Sequence, residues 1–66
     1  MRVTVNGEVR ETMVGATVVA LLASLGIDSR KVAVEHNREI VPKSQYDRLV
    51  LEPDDTLEIV QFVGGG

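Results

Sequence analysis

Residues 15–26, GATVVALLASLG, decide the fold because the apolar residues change here from the period of a strand to that of a helix. They recur at spacings of three and four, which places them on one face of an α-helix. The residues on that face are Val18, Leu21, Leu22 and Leu25. Thr17 stands at the N-cap position, and Gly26 stands where a helix commonly ends in a left-handed residue. A helix this short is marginal in water, so we expect its apolar face to lie on a sheet.

Before the helix, the sequence predicts a β-hairpin. Residues 1–6, MRVTVN, alternate apolar and polar side chains, which is the period of a half-buried strand. Asn6-Gly7 follows, and both residue types tolerate the positive φ of a type I′ turn. Residues 7–13, GEVRETM, then return as a second and more polar strand.

After the helix, the chain is predicted to be mostly extended. VAVEHN (32–37) alternates as a strand, a turn follows at Asn37-Arg38, and EIVP (39–42) is a brief extended piece. The polar KSQYD (43–47) has room for one helical turn. RLVLEPDD (48–55) is predicted to be a short strand that ends at Pro53, and TLEIVQFV (56–63) is predicted to be the last strand. We therefore expect two or three strands after the helix.

This order of elements is typical of an α+β protein. A helix between two groups of strands packs on one face of the sheet and leaves the other face open. A right-handed crossover lets the first and last strands lie side by side and parallel at the centre. We therefore predict a β-grasp, or ubiquitin-like, fold, with a mixed sheet of four or five strands and one main helix on one face. The domain is expected to span residues 1–63 and to be followed by a flexible glycine tail, residues 64–66.

The composition narrows the classes of function. The chain has 66 residues, 44% of them hydrophobic, and no cysteine, so we expect an aliphatic core without disulfides or thiolate metal sites. A net charge of −3, with one tyrosine and one phenylalanine, argues against nucleic-acid binding. No apolar run approaches the roughly 20 residues of a membrane span, and the first residues do not resemble a signal peptide. A monomeric cytoplasmic protein is expected.

No catalytic or metal centre is predicted. His36 is the only histidine and is expected to be solvent-exposed or to flank a turn. Asp54 and Asp55 are expected to form a tight turn beside Pro53. No Ser-His-Asp or Cys-His set can be assembled, and neither a lysine nor a helix follows the terminal glycines, as a phosphate-binding loop requires. The chain is therefore not expected to be an enzyme or to bind a cofactor of its own.

The last predicted strand has two different faces. Leu57 and Ile59 share the face that we expect beneath the helix. The opposite face carries Glu58, Val60 and Phe62. Because the glutamate belongs in water, Val60 and Phe62 are expected to point outward and, with Val63, to form a partner-binding patch. The alternative is that these apolar side chains are exposed but bind no partner, because single exposed apolar residues are common.

The sequence closes with Gly64, Gly65 and Gly66. Glycine has no Cβ and adopts almost any φ and ψ, so such a tail can enter a channel too narrow for other residues. Three residues reach at most about 10 Å, far enough to place the Gly66 carboxylate in another protein's active site. A carboxylate must be activated before it reacts, and a mixed anhydride with AMP, made by a partner with ATP and Mg²⁺, is a general solution. The alternative is a frayed end without a role.

These residues resemble the ThiS family, the sulfur carriers of thiamine biosynthesis. The resemblance extends over essentially the whole chain: the opening strand with its Asn-Gly turn, the helix TVVALLASLG, the acidic turn before the last strand and the terminal Gly-Gly. Its most specific part is VAVEHNREIVPKSQY (32–46), in which a basic residue and then an aromatic residue follow IVP. The terminal Gly-Gly is less specific, because the small subunit of molybdopterin synthase and ubiquitin share it.

The resemblance implies a reaction and its partners. An E1-like adenylating enzyme of the ThiF type is expected to adenylate the Gly66 carboxylate with ATP and Mg²⁺. A persulfide, from a cysteine desulfurase or another donor, is then expected to displace AMP and leave a thiocarboxylate that gives its sulfur to thiazole synthase. Gly65 and Gly66 match the family's terminal pair, and Gly64 is an additional glycine.

Three other functions fit the same sequence. A sulfur carrier for molybdopterin synthesis would use the same terminal chemistry. A ubiquitin-like modifier would join its terminal carboxylate to lysine side chains of other proteins. A β-grasp binding module would not use its glycines at all.

Overall fold

A computed structural model of the chain describes residues 1–62, which form a five-stranded mixed sheet with an α-helix packed against it. The strands are β1 (Arg2–Val5), β2 (Glu8–Glu11), β3 (Val32–His36), β4 (Glu39–Ile40) and β5 (Thr56–Gln61). The helix α1 spans Val18–Ser24, and two 3₁₀ turns span Ser29–Lys31 and Lys43–Gln45. The predicted α+β architecture is confirmed, and three strands follow the helix.

The strand order β2-β1-β5-β3-β4 places the last strand in the middle of the sheet. β1 and β5 are parallel, whereas β1 pairs with β2, and β3 with both β5 and β4, in antiparallel fashion. The predicted parallel pairing of the first and last strands at the centre is therefore confirmed. Because β5 has a partner on each side, its position is fixed by two neighbouring strands.

A tight turn joins the two strands in each of the antiparallel hairpins, β1–β2 and β3–β4. Asn6 and Gly7 have φ angles of 50° and 82°, and Asn37 and Arg38 have φ angles of 49° and 71°. Positive φ at both central residues is the requirement of a type I′ turn. The Asn6 side chain also accepts a hydrogen bond from the Ile59 N–H at 2.7 Å and donates one to the Ile59 carbonyl at 3.1 Å. It therefore continues the β1–β5 pairing beyond the end of β1.

The helix α1 is bounded by the predicted capping residues. The Thr17 hydroxyl accepts a hydrogen bond from the Ala20 N–H at 3.2 Å, which satisfies one of the free donors of the first turn. Gly26 follows the C-cap residue Leu25 and has a φ of 73°. This left-handed conformation favours glycine, so the helix ends where the sequence predicts.

The core lies between α1 and the sheet and is almost entirely aliphatic, as the composition predicts. Its buried members are Val3, Val5, Val18, Leu21, Leu22, Val32, Val34, Val41, Tyr46, Leu51, Leu57 and Ile59. Full burial of an aliphatic side chain of this size stabilises a fold by about 1.5–3 kcal/mol. The core can therefore hold together a domain of this size that has no disulfide.

The prediction of a strand within residues 48–55 is wrong. Val50 forms only an isolated bridge with Thr17, and the Leu51 N–H donates a hydrogen bond to the Ala16 carbonyl at 2.8 Å. Leu51 is buried and Val50 is exposed, so the alternation in the sequence reflects an extended chain. The segment is not a strand of the sheet, because its backbone bonds to the residues at the start of α1. It runs instead beside the start of α1.

No helix within residues 1–62 is long and apolar enough to cross a membrane.

Candidate partner-docking site at the end of the central strand

The central strand β5 leads the chain out of the sheet. Beyond its last residue, the Phe62 N–H still donates a hydrogen bond to the Lys31 carbonyl at 3.0 Å, so the backbone is held up to this point. The remaining predicted site residues, Val63, Gly64, Gly65 and Gly66, lie outside the described residues. Their roles, and the boundary between domain and tail, therefore stay predictions.

The two faces of β5 are oriented as predicted. Leu57 and Ile59 are buried in the core beneath α1. Val60 and Phe62 are 58% and 59% exposed, and Val60 lies opposite Ala33 of β3. The predicted exposure is confirmed, whereas the role of Val60 and Phe62 in partner binding stays a prediction.

The sheet face that α1 does not cover, called here the open face, is acidic beside Val60. Glu58 and Glu35 lie directly opposite each other on β5 and β3, and within residues 1–62 neither forms an ion pair. Ile40, which is 79% exposed, lies opposite Glu35 on β4. Like charges directly opposite each other destabilise a sheet. Sequence reasoning missed Glu35, although the alternation in VAVEH already places it on the face of Ala33.

The 3₁₀ turn Lys43–Gln45 supports the chain where β5 ends. The Lys43 ammonium lies 5.0 Å from the centroid of the Phe62 ring and donates a hydrogen bond to the Arg30 carbonyl at 2.6 Å. The Arg30 side chain pairs with Asp28, and its hydrogen bonds hold the pKa of that carboxyl at about 2. The sequence identifies Lys43 only as the basic residue after IVP, because nothing in the sequence connects position 43 with position 62.

A polar cluster lies at the other end of β5, around a carboxylate that the sequence places only in a turn. Asp55 is buried at 7% exposure. The turn itself is confirmed, with Asp54 at a φ of 67°. His36 flanks the β3–β4 turn, as predicted, and its Nε2 donates a hydrogen bond to the Asp55 Oδ2 at 2.6 Å. Asn37 Nδ2 donates to the Asp55 Oδ1 at 3.1 Å, so the β3–β4 turn covers this carboxylate.

Hydrogen bonding determines the charge state of Asp55. Burial by itself raises the pKa of this carboxyl. The hydrogen bonds from the Glu52 backbone N–H, His36 and Asn37 outweigh burial and hold the pKa below its ordinary value. The cluster therefore fastens the loop before β5 to the β3–β4 turn.

Within residues 1–62, no group of three or more His, Cys, Asp and Glu side chains is placed to hold a metal ion.

The chain is similar to proteins of thiamine biosynthesis. A model of the ThiS family matches residues 3–66. The sulfur carrier protein ThiS of Bacillus subtilis is 46% identical over 50 residues, which are 76% of each chain. A crystal structure of the thiamine biosynthesis protein ThiS from Geobacter metallireducens matches the whole of both chains with a TM-score of 0.86 and 30% identity.

Two longer relatives contain a region similar to this chain. The thiazole synthases of Paramagnetospirillum magneticum and Magnetococcus marinus are 56% and 42% identical to it over 66 residues. The chain spans 20% of the length of each of these relatives.

Proposed function

Because the chain belongs to the ThiS family of sulfur carriers in thiamine biosynthesis, we propose that the carboxyl group of Gly66 carries the sulfur as a thiocarboxylate. The observation that supports this proposal is the placement of β5. The strand lies at the centre of the sheet, is fixed on both sides and ends beside the exposed side chains of Val60 and Phe62. A partner that binds there would receive residues 63–66 from a backbone that is held in place up to Phe62.

The proposed reaction takes place in the active sites of partner proteins. An adenylating enzyme of the ThiF type joins the Gly66 carboxylate to AMP, using ATP and Mg²⁺ and releasing pyrophosphate. The terminal sulfur of a persulfide, from a cysteine desulfurase or another donor, attacks the acyl carbon and AMP leaves, which gives an acyl disulfide. A thiol then attacks the disulfide and releases the Gly66 thiocarboxylate. The carrier supplies the acyl group and no catalytic side chain.

Thiazole synthase is the proposed recipient of the sulfur. Two relatives that match the whole of this chain are thiazole synthases, and the matching region is 20% of their length. A covalent connection of this kind raises the effective concentration of one domain near the other. We expect the carrier to be cytoplasmic and to be a monomer when it is free of its partners.

The open face is the proposed docking surface for these partners. Fixing the backbone of residues 63–66 in a partner's active site costs up to about 1–2 kcal/mol per residue, so contacts elsewhere on the carrier must offset that cost. Val60 and Phe62 offer apolar area next to the tail. Glu35 and Glu58 lie beside Val60 without an ion-pair partner within residues 1–62, which suits a partner surface with basic side chains.

Intact-mass measurement tests the proposed function. The protein is incubated with ATP, Mg²⁺ and an adenylating enzyme of the ThiF type, and the expected product has gained one AMP. Addition of a cysteine desulfurase, cysteine and a thiol reductant should then exchange one oxygen atom for sulfur, and fragmentation should place this exchange at Gly66. A sample without ATP is the control.

Other products would contradict the proposal. Conjugates in which the carrier is joined to lysine side chains would indicate a protein modifier. A mass that stays unchanged with active partners would indicate a β-grasp binding module. Sulfur transfer to molybdopterin synthase, but not to thiazole synthase, would assign the carrier to the other pathway.

A further inference from the structure

The segment that follows IVP, KSQY (43–46), is hydrogen-bonded at one end to the 3₁₀ turn before β3 and at the other end to the first residue of β3. The Lys43 ammonium donates a hydrogen bond to the Arg30 carbonyl at 2.6 Å. At the other end of the segment, the Tyr46 hydroxyl donates a hydrogen bond to the Val32 carbonyl at 3.1 Å, within the core. The segment is therefore fixed against residues 30–32.

The same residues, 30–32, hold the end of β5. The Lys31 carbonyl, which lies between the two carbonyls bound by KSQY, accepts a hydrogen bond from the Phe62 N–H at 3.0 Å. Val32 also pairs with Gln61 across the sheet. Three successive carbonyl groups thus bind Lys43, Phe62 and Tyr46, and they couple the 43–46 segment to the point where the chain leaves the sheet.

Lys43 also contacts the Phe62 side chain directly. Its ammonium lies 5.0 Å from the ring centroid, within the range of a cation–π interaction. The Phe62 ring remains 59% exposed, so this contact leaves much of its surface accessible. One ammonium group therefore bridges the backbone at Arg30 and the ring at Phe62.

We propose that Lys43 is a positioning residue, which holds the ring and the backbone of Phe62 in the orientation that the adenylating enzyme binds. This proposal rests on the proposed function. Lys43 does not take part in the chemistry. It reduces the number of orientations that the Phe62 ring adopts in the free carrier, so less conformational entropy is lost on binding.

Three variants separate this role from a general effect of charge. Lys43→Met removes the ammonium and keeps an unbranched side chain. Lys43→Arg keeps a cation and a hydrogen-bond donor that also interacts with aromatic rings. Lys31→Met is the matched control, because it removes the same charge from a neighbouring exposed lysine whose side chain has no hydrogen bond or ion pair within residues 1–62.

The first measurement is steady-state adenylation, followed by pyrophosphate release at varied carrier concentrations. Lys43→Met should raise the KM for the carrier about two- to fivefold with kcat nearly unchanged, because an exposed cation–π contact is of that strength. Lys43→Arg should restore most of the wild-type KM, and Lys31→Met should leave it near wild type. Equal effects of Lys43→Met and Lys31→Met would overturn the proposal, since they would indicate charge alone.

The second measurement does not depend on any enzyme. Phe62 is the only phenylalanine, so selective labelling gives a single set of ring and amide signals in NMR spectra. Lys43→Met should shift the ring signals and increase the fast motion of the Phe62 amide, whereas Lys43→Arg and Lys31→Met should not. Unchanged Phe62 signals in Lys43→Met would overturn the positioning role. A wild-type protein that is not adenylated would instead contradict the proposed function, so the two failures are distinguishable.

Discussion

At the scale of single residues, Asp54 and Asp55 show how neighbours of the same type acquire different roles. Asp54 adopts a left-handed turn conformation at the surface, whereas Asp55 is buried and accepts hydrogen bonds from His36 and Asn37. The sequence predicts the turn from Pro53 and the acidic pair. It does not predict the burial of Asp55, because its partners are 18 and 19 residues away and meet it only once the sheet has formed.

The stability of the fold should depend on the ionisation of Asp55. Its pKa is held below the ordinary value in the folded state, so its contribution is fully present above the unfolded-state pKa of about 3.9. That contribution is lost as the pH falls through the lower folded-state pKa. Asp55→Asn should lower the free energy of unfolding at pH 7 by about 1–3 kcal/mol and reduce its decline below about pH 4.

Urea unfolding at pH 3 to 7 would measure this effect, and Asp54→Asn is the matched control. Asp54 lies in the same turn but is exposed, and asparagine tolerates its positive φ. A decline at low pH that is the same in Asp55→Asn and in the wild type would contradict the role assigned to Asp55.

Phe62 is the residue of the candidate docking patch that mutation tests most directly. Phe62→Asp should raise the KM for adenylation at least tenfold, because it places a charge where an apolar contact is proposed. The fold should remain intact, since the side chain is 59% exposed. Val14→Asp is the control, because Val14 is an 84% exposed apolar residue in the turn before α1, outside the sheet. Loss of the fold in Phe62→Asp, measured by circular dichroism, would show that the ring is structural.

At the scale of elements, most of the fold is predictable from local signals. The Asn6-Gly7 turn, the Thr17 cap and the glycine after α1 each depend on residues close in sequence, and each is confirmed. The prediction of a strand within residues 48–55 is wrong because alternation shows only that a chain is extended with one side buried. Whether such a chain joins a sheet depends on partners distant in sequence, and here the Leu51 N–H donates to the Ala16 carbonyl before α1.

The cap of α1 should contribute measurably to stability. Thr17→Ala removes the acceptor for the Ala20 N–H, and the free energy of unfolding should fall by about 1 kcal/mol. Thr17→Ser keeps a hydroxyl at this position and should recover most of the loss. Urea titrations of the three proteins would provide the comparison, and equal stability of Thr17→Ala and the wild type would contradict the capping role.

At the scale of the whole molecule, the fold and the proposed chemistry are separable. The buried core that the structure describes lies within residues 3–59, and the reacting group is proposed to lie at Gly66. Addition of one alanine after Gly66 should therefore abolish adenylation, because the terminal carboxylate is displaced, and should leave the free energy of unfolding unchanged. Pyrophosphate release and urea unfolding would measure the two quantities.

A removable extension provides the control for this variant. A chain lengthened beyond Gly66 by a segment that a protease cuts immediately after Gly66 should be inactive before cleavage and active afterwards. Adenylation of the uncut protein, with its intact mass verified, would contradict the requirement for a free carboxylate at Gly66.

The central position of β5 has a consequence for synthesis and quality control. Of the five strands, β5 leaves the ribosome last, yet it separates β1 from β3. A nascent chain that ends before residue 56 therefore has two additional unpaired strand edges, at β1 and β3, and an incomplete core, and such edges promote aggregation and degradation. We expect prematurely terminated copies to be removed by cellular proteases, so the surviving population consists of chains that have been translated at least through β5.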